Sequence, residues 1–494
     1  MDLSEIRDGV ENFCMEVERE RYLNRAGLKD ELNVSAVYTR YAYLLEKGLI
    51  SDVRRRRRRS SGEEERRSRY LQAFLMDGYL SMAVKELTDR SETAQSKETV
   101  RVDGERVPFR LAAVRVTNEP DRSRRARLFR ARNRVIEEVI NPILRRRMER
   151  LHEAARELGY EHYMALYQDV RNVDFMALER LMREFARQTE PLYLRHMGQA
   201  VQEKVGVLLE EAEKHDVAFL FRAKEFDGYF KRERAVAALR RALARMGIRL
   251  DEQPNIGIDV EERPKKSPRA FCAAIRVPDE VRLVIMPRGG REDYASLFHE
   301  AGHAEHFGCV DPGLEVEYRR LGDNSVTEGF AFLLEYLTLD ENWLRQNIPM
   351  GERVRDCLRL GYLHKLYFLR RYGAKLSYEV RLHADGLEGM GEAYRQTLER
   401  SLGFRHPGSH YLIDHDDGFY CSQYLRAWIF EAQLRQALEE RFGEEWFGDP
   451  RAGEFLLSLW ADGQKYDVTE LAQMLGHSGL DMGPLLMGIR RRLG

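Results

Sequence analysis

No two of the five cysteines (Cys14, Cys272, Cys309, Cys357, Cys421) stand close enough in the chain to form a CxxC pair. Their odd number and wide scatter exclude a disulfide framework and a thiolate zinc ribbon. Nowhere do about 18 apolar residues run together, so no membrane-spanning helix is expected. The charge lacks a dominant sign: 81 basic and 82 acidic residues leave a formal net charge of -1. A nucleic-acid surface needs a net basic stripe, which this balance argues against. The opening MDLSEIRDGVENFCMEVERE is charged and helical in pattern, with no apolar segment of a secretory signal. Neither glycine nor proline is enriched, and the apolar content of 43% is ordinary for a globular chain. These absences together predict a soluble cytoplasmic protein with neither nucleic acid nor membrane as partner, a monomer or small homo-oligomer.

A chain of 494 residues exceeds what one hydrophobic core usually supports, so more than one lobe is expected. Up to residue 250 the apolar residues recur at helical spacing under a coat of Arg and Glu, as in Ser123 to Gln168. The run RRRRRR at Arg54 to Arg59 resembles a basic arm, but Glu63, Glu64 and Glu65 follow at once. A solvated edge with local charge pairing is the simpler reading. Pro254, Gly257, Pro264 and Pro268 break the helical texture and mark a boundary. The expected division is an N-terminal helical lobe over 1–250 and a second lobe over 251–494. Within the latter, two runs rich in Val and Ile, Phe271 to Val277 and Val281 to Met286, flank a Pro-Asp turn and predict a β-hairpin within 270–287. The fold class is therefore mainly α, with a small β-hairpin or sheet.

LFHEAGHAEHFG, Leu297 to Gly308, comes directly after this β region. With Asp293 as N-cap and Gly308 as stop, a helix over 294–307 is predicted. At about 100° per residue, Tyr294, Leu297, Phe298, Ala301 and Ala304 fall on one side, and His299, His303 and His306 on the other. Two imidazoles one turn apart can reach one point, and zinc accepts imidazole nitrogen readily. Glu300 then stands where its carboxylate can reach a water without ligating the metal, which is the HExxH arrangement. The alternative is a pair of histidines on a wet helix face. A Gly at 306 and His at 309, which the metzincin pattern requires, are missing: the chain has His306 and Cys309. Downstream, DNSVTEGFAFLLEYL predicts a helix carrying Glu328, either as third ligand or as the acid of a capping box with Ser325. Tyr420 and Tyr424 in HDDGFYCSQYLRAW share a helical face and read as core tyrosines or as functional hydroxyls.

LFHEAGHAEHFG, followed 25 residues after His303 by Glu328 in SVTEGFAFLLEYL, resembles the M3 family of zinc peptidases, thimet oligopeptidase and oligoendopeptidase F. HDDGFYCSQYLRAW is similar to the late Tyr-rich segment of that family. The chain departs from it in GFAF at 329–332, where many relatives carry a Pro-Ser-Gln-like run, and in a spacing from His415 shorter by one residue.

The resemblance implies a zincin-like helical peptidase whose two lobes flank a channel. It implies one zinc ion held by His299, His303 and Glu328, with Glu300 as general base. Tyr420, Tyr424 and His415 would stabilise the tetrahedral intermediate. His306, Asp323 and Glu335 are candidates to hold the ligating side chains, although His306 reads equally well as a solvated helix residue. An exposed edge at Phe271, Ala273 and Ile275 is expected to accept a peptide as an added strand, or else to support the zinc helix. The implied substrates are short unstructured peptides. A zinc carboxypeptidase or dipeptidase on the same framework, or a non-enzymatic peptide-binding relative, is the alternative.

Overall fold

The structure, a computed structural model, describes residues 2–494. Helix accounts for 72% of the chain, as the helical periodicity predicts. Among the described residues no helix is long and apolar enough to cross a membrane. The described residues include five strands: β1 (Thr99–Val102), β2 (Glu105–Pro108), β3 (Ile256–Asp259), β4 (Phe271–Arg276) and β5 (Glu280–Val284).

The chain forms two compact units, and neither is continuous in sequence. The first takes the chain through Met76, Lys224–Leu358 and Arg426–Gly488; the second takes Asp77–Ala223, Arg359–Leu425 and Ile489–Gly494. This differs from the expected division at 250/251. The shift in texture there is real, but it marks the entry to a sheet inside one unit. The physical reason is a long-range one. The face of β4 formed by Phe271, Ala273 and Ile275 needs cover, and the N-terminal helix Leu3–Arg25 and Ala26 supply it, with Met15 and Tyr22 packing on the same cluster.

In the first unit the sheet order is β3-β5-β4. β4 and β5 form the expected hairpin, paired antiparallel from Phe271↔Val284 to Arg276↔Glu280, with an irregularity between Ala274 and Arg276. β3 pairs parallel on the other side of β5, a strand the sequence reading passed over between its prolines. β4 is thus an edge strand. The helix Arg291–Gly308 follows the sheet and packs closely on the helix Asn324–Glu335. Gly302 makes that approach possible: a Cβ there would lie 2.5 Å from Ala331 Cα and 2.6 Å from the Phe330 carbonyl oxygen.

The second unit is helical apart from the β1–β2 hairpin, which the sequence reading assigned to helix. Asp103 (φ 49°) and Gly104 (φ 79°) turn it with two consecutive positive φ angles, the geometry Asp-Gly favours.

Candidate metal centre

The helix Arg291–Gly308 starts three residues earlier than its sequence suggests. Gly290 is the N-cap, and Asp293 lies inside the first turn with its carboxylate accepting from the backbone N–H groups of Arg288 and Gly289. The predicted apolar face is buried throughout: Tyr294, Leu297, Phe298, Ala301 and Ala304 are each at most 1% exposed. His299 and His303 remain partly exposed on the facing side.

The second helix, Asn324–Glu335, is capped by Asp323, whose carboxylate accepts from Ser325 N–H at 3.0 Å and pairs with Arg426 Nη1 at 2.8 Å. The capping alternative for Glu328 therefore falls, because Ser325 is already inside the helix. Glu328 lies one turn along, and its Oε2 is 3.4 Å from His299 Nε2 and 3.7 Å from His303 Nε2. One ligand atom from each of the three residues lies within 4.8 Å of the others, and no other such group of His, Cys, Asp or Glu occurs among the described residues.

The remaining ring nitrogens explain the convergence. His299 Nδ1 donates to Glu335 Oε2 at 2.9 Å, so its Nε2 keeps the lone pair that a metal needs. His303 Nδ1 is 2.7 Å from Thr327 Oγ1. Two imidazole Nε2 atoms and one carboxylate oxygen, with both Nδ1 atoms engaged elsewhere, form a donor set that fits a borderline divalent metal such as zinc. Without a metal, burial disfavours the His299 cation, but the carboxylates of Glu328 and Glu335 outweigh it and lift its pKa well above the ordinary value. Burial dominates at His303 and lowers its pKa to about 4.

Glu300 turns toward the sheet. Its Oε2 accepts the backbone N–H of Cys272 at 2.7 Å. Burial raises its pKa above the usual carboxylate range, against the pull of His299 and that hydrogen bond. A carboxylate so placed is a better proton acceptor than a solvated one.

Five expected residues stand differently. His306 is fully buried, not solvated: its Nε2 donates to the Gly463 carbonyl at 3.0 Å, and its ring packs on Phe307 and Phe330. Burial drops its pKa to about 4, and no hydrogen bond ties it to the ligands. Asp323 acts on Glu328 only through the helix it caps. On β4, Phe271, Ala273 and Ile275 point their side chains into the core, at most 4% exposed. The outward backbone belongs to Cys272, whose N–H meets Glu300, and its C=O turns to the same side. Further along, Arg320 donates to the carbonyls of Ala274 and Ile275.

Tyr420, Tyr424 and His415 belong to the second unit. The two tyrosines open the helix Tyr420–Phe442, half-buried, with ring centroids 5.0 Å apart, and Tyr424 packs edge-on against Tyr372. Phe419, just before them, holds a left-handed φ of 55° while stacked on Phe175 at 4.4 Å. His415 is buried in a row of imidazoles: its Nε2 meets His383 Nε2 at 3.0 Å, and His383 Nδ1 meets His152 Nε2 at 2.8 Å. Burial drives the His415 pKa down to about 3.

Sequence reasoning missed Thr327, Cys272 and Arg25. Thr327 sits next to a ligand and could have been found from that adjacency. Nothing local marks the other two. Compared with known proteins, the chain matches no family model and none of the curated proteins.

Proposed function

We propose that the protein is a zinc-dependent peptidase that hydrolyses short unstructured peptides, on a zincin-like framework akin to the M3 oligopeptidases it resembles. The observation that carries this reading is the convergence of His299 Nε2, His303 Nε2 and Glu328 Oε2 beside a half-buried carboxylate, Glu300, that touches an edge strand.

His299, His303 and Glu328 would hold the ion, which when bound supplies Lewis acidity toward a water and a carbonyl. Glu335 and Thr327 fix the two imidazole rings. Glu300 takes a proton from the attacking water and passes it to the departing amine. The peptide C–N bond breaks, the water oxygen joins the carbonyl carbon, and the new amine carries the proton. The outward backbone of Cys272 offers an acceptor to a peptide lying along β4, recognition that ignores side-chain identity.

The test is metal analysis of the purified chain together with mass-spectrometric mapping of peptide cleavage, before and after chelation. One zinc per chain and chelator-sensitive cleavage are expected. A chain that binds no zinc, or that binds it and cleaves nothing, overturns the reading.

A further inference from the structure

The candidate centre has a cation beside its base that the sequence did not single out. Arg25 is the last residue of the N-terminal helix, and its guanidinium carbon lies 4.0 Å from the centroid of the Phe271 ring, at the start of β4. Phe271 immediately precedes Cys272, whose N–H holds Glu300. Arg25 as a residue is exposed, and its guanidinium, partly covered by the Phe271 ring, makes no hydrogen bond or ion pair among the described residues. Its electrostatic neighbours are Glu300 and Glu18, with Arg21 and Arg269 of like charge. Glu18 is already paired with Arg21 at 2.8 Å.

The backbone beneath Arg25 is fixed from three sides. Its carbonyl accepts Ser267 N–H at 2.7 Å, and the Ala26 carbonyl accepts Arg263 Nε at 2.7 Å. At Gly27 (φ 70°) a Cβ would stand 2.8 Å from Lys266 N, so the chain passes hard against this loop. The loop in turn is anchored by the buried Lys266, whose Nζ bonds the carbonyls of Asp259, Glu261 and Ile285 and the Asp259 carboxylate. Such bracing positions a binding group; an ordinary solvated arginine does not need it.

We infer that Arg25 receives the free C-terminal carboxylate of a peptide lying along β4, so that the centre releases short fragments from peptide C-termini. This inference rests on the peptidase reading above. A peptide paired antiparallel to β4 runs toward Phe271 and brings its C-terminus to Arg25. A parallel peptide would bring its ammonium there instead, and the guanidinium would repel it. Charge therefore selects one direction. With about 3.3 Å of rise per residue and the base one residue from Phe271, about one to three residues separate the scissile bond from the carboxylate.

The experiment compares an acetylated pentaalanine peptide as free acid and as carboxamide, with the full-length zinc-loaded chain and its Arg25→Gln and Arg25→Lys variants. The wild-type chain is expected to favour the acid in kcat/KM by about tenfold or more, the scale of a charged hydrogen bond. The ratio should fall toward one in Arg25→Gln and be kept in part by Arg25→Lys. Calorimetric binding of the same two peptides to the Glu300→Gln chain should show the same preference without turnover. Equal handling of acid and amide by the wild type, or a preference that survives Arg25→Gln, overturns the role of Arg25 and leaves the peptidase reading standing. Cleavage of no peptide by the zinc-loaded wild type overturns both.

Discussion

The backbone N–H of Cys272 donates to Glu300 Oε2 at 2.7 Å, so the residue proposed to move protons is tied to the strand proposed to hold a peptide. That bond leaves the other carboxylate oxygen of Glu300 for chemistry. It also makes the orientation of the base depend on where β4 lies, and β4 is held by the N-terminal helix packed on its inner face.

Replacement of Glu300 by Gln keeps the size of the side chain and the acceptor for Cys272 but removes the base. Zinc content is expected to stay at one per chain while peptide turnover falls by about 10²- to 10⁴-fold. Metal analysis and initial-rate measurement on the same sample check this; a variant that retains turnover removes Glu300 from the mechanism.

Glu335→Gln separates holding a ligand from being one. Loss of the carboxylate beside His299 Nδ1 is expected to weaken zinc about 10- to 100-fold in a chelator competition. Glu328→Ala should weaken it further than that. Equal effects from the two would contradict the assignment of Glu328 as ligand and Glu335 as its support.

Gly302→Val places carbon against Ala331 and the Phe330 carbonyl, where backbone cannot yield. A loss of about 1–3 kcal/mol in urea denaturation is expected, together with weaker zinc binding. Normal zinc affinity in a destabilised variant would show that helix spacing does not govern the ligand set.

Acid is expected to destabilise the second unit through its buried histidines. Burial lowers the pKa of His152 to about 4 and of His415 to about 3, and drives those of His383, His406 and His410 well below the ordinary value. In the unfolded chain these rings take up protons near pH 6.5. Between that pH and about 4 the unfolded state binds more protons, so the stability they contribute is full above pH 6.5 and is lost as the pH falls. His406 offers a sharp check, since neither ring nitrogen has a hydrogen-bond partner among the described residues. His406→Phe should raise the urea midpoint at pH 5.5 more than at pH 8; an equal change at both would deny the titration.

Much of the centre was legible because it is local. One helical turn separates His299 from His303, and the apolar face opposite them fixes which way they point. Glu328 was legible through its interval from His303, and Glu335 only through the family resemblance that this interval carries. What escaped depends on contacts between segments far apart in the chain. The N-terminal helix closing over β4 puts Arg25 next to a residue nearly 250 positions away, and no periodicity records that. His306 shares the stripe of the two ligand candidates, yet a loop from around Gly463 covers it. The units interleave for the same reason, whereas a change of texture near residue 250 marks only a local event. The β1–β2 hairpin is a different kind of miss, since VRVDGERV carries an alternating pattern around Asp-Gly that was there to be read.

Thr327, Glu328 and Glu335 sit on a single rigid helix, and all three meet the pair of histidines on another. The centre is therefore stored as one register between two rods, in the way a key stores its cut. Sliding either helix by one turn would misplace a proposed ligand and both ring supports together, so partial assembly has no foothold. The bare backbone at Gly302, lodged against Ala331, is the detent that holds that register. Variation in this chain can thus spread freely over solvent-facing helix positions, while these few contacts must change in concert or not at all.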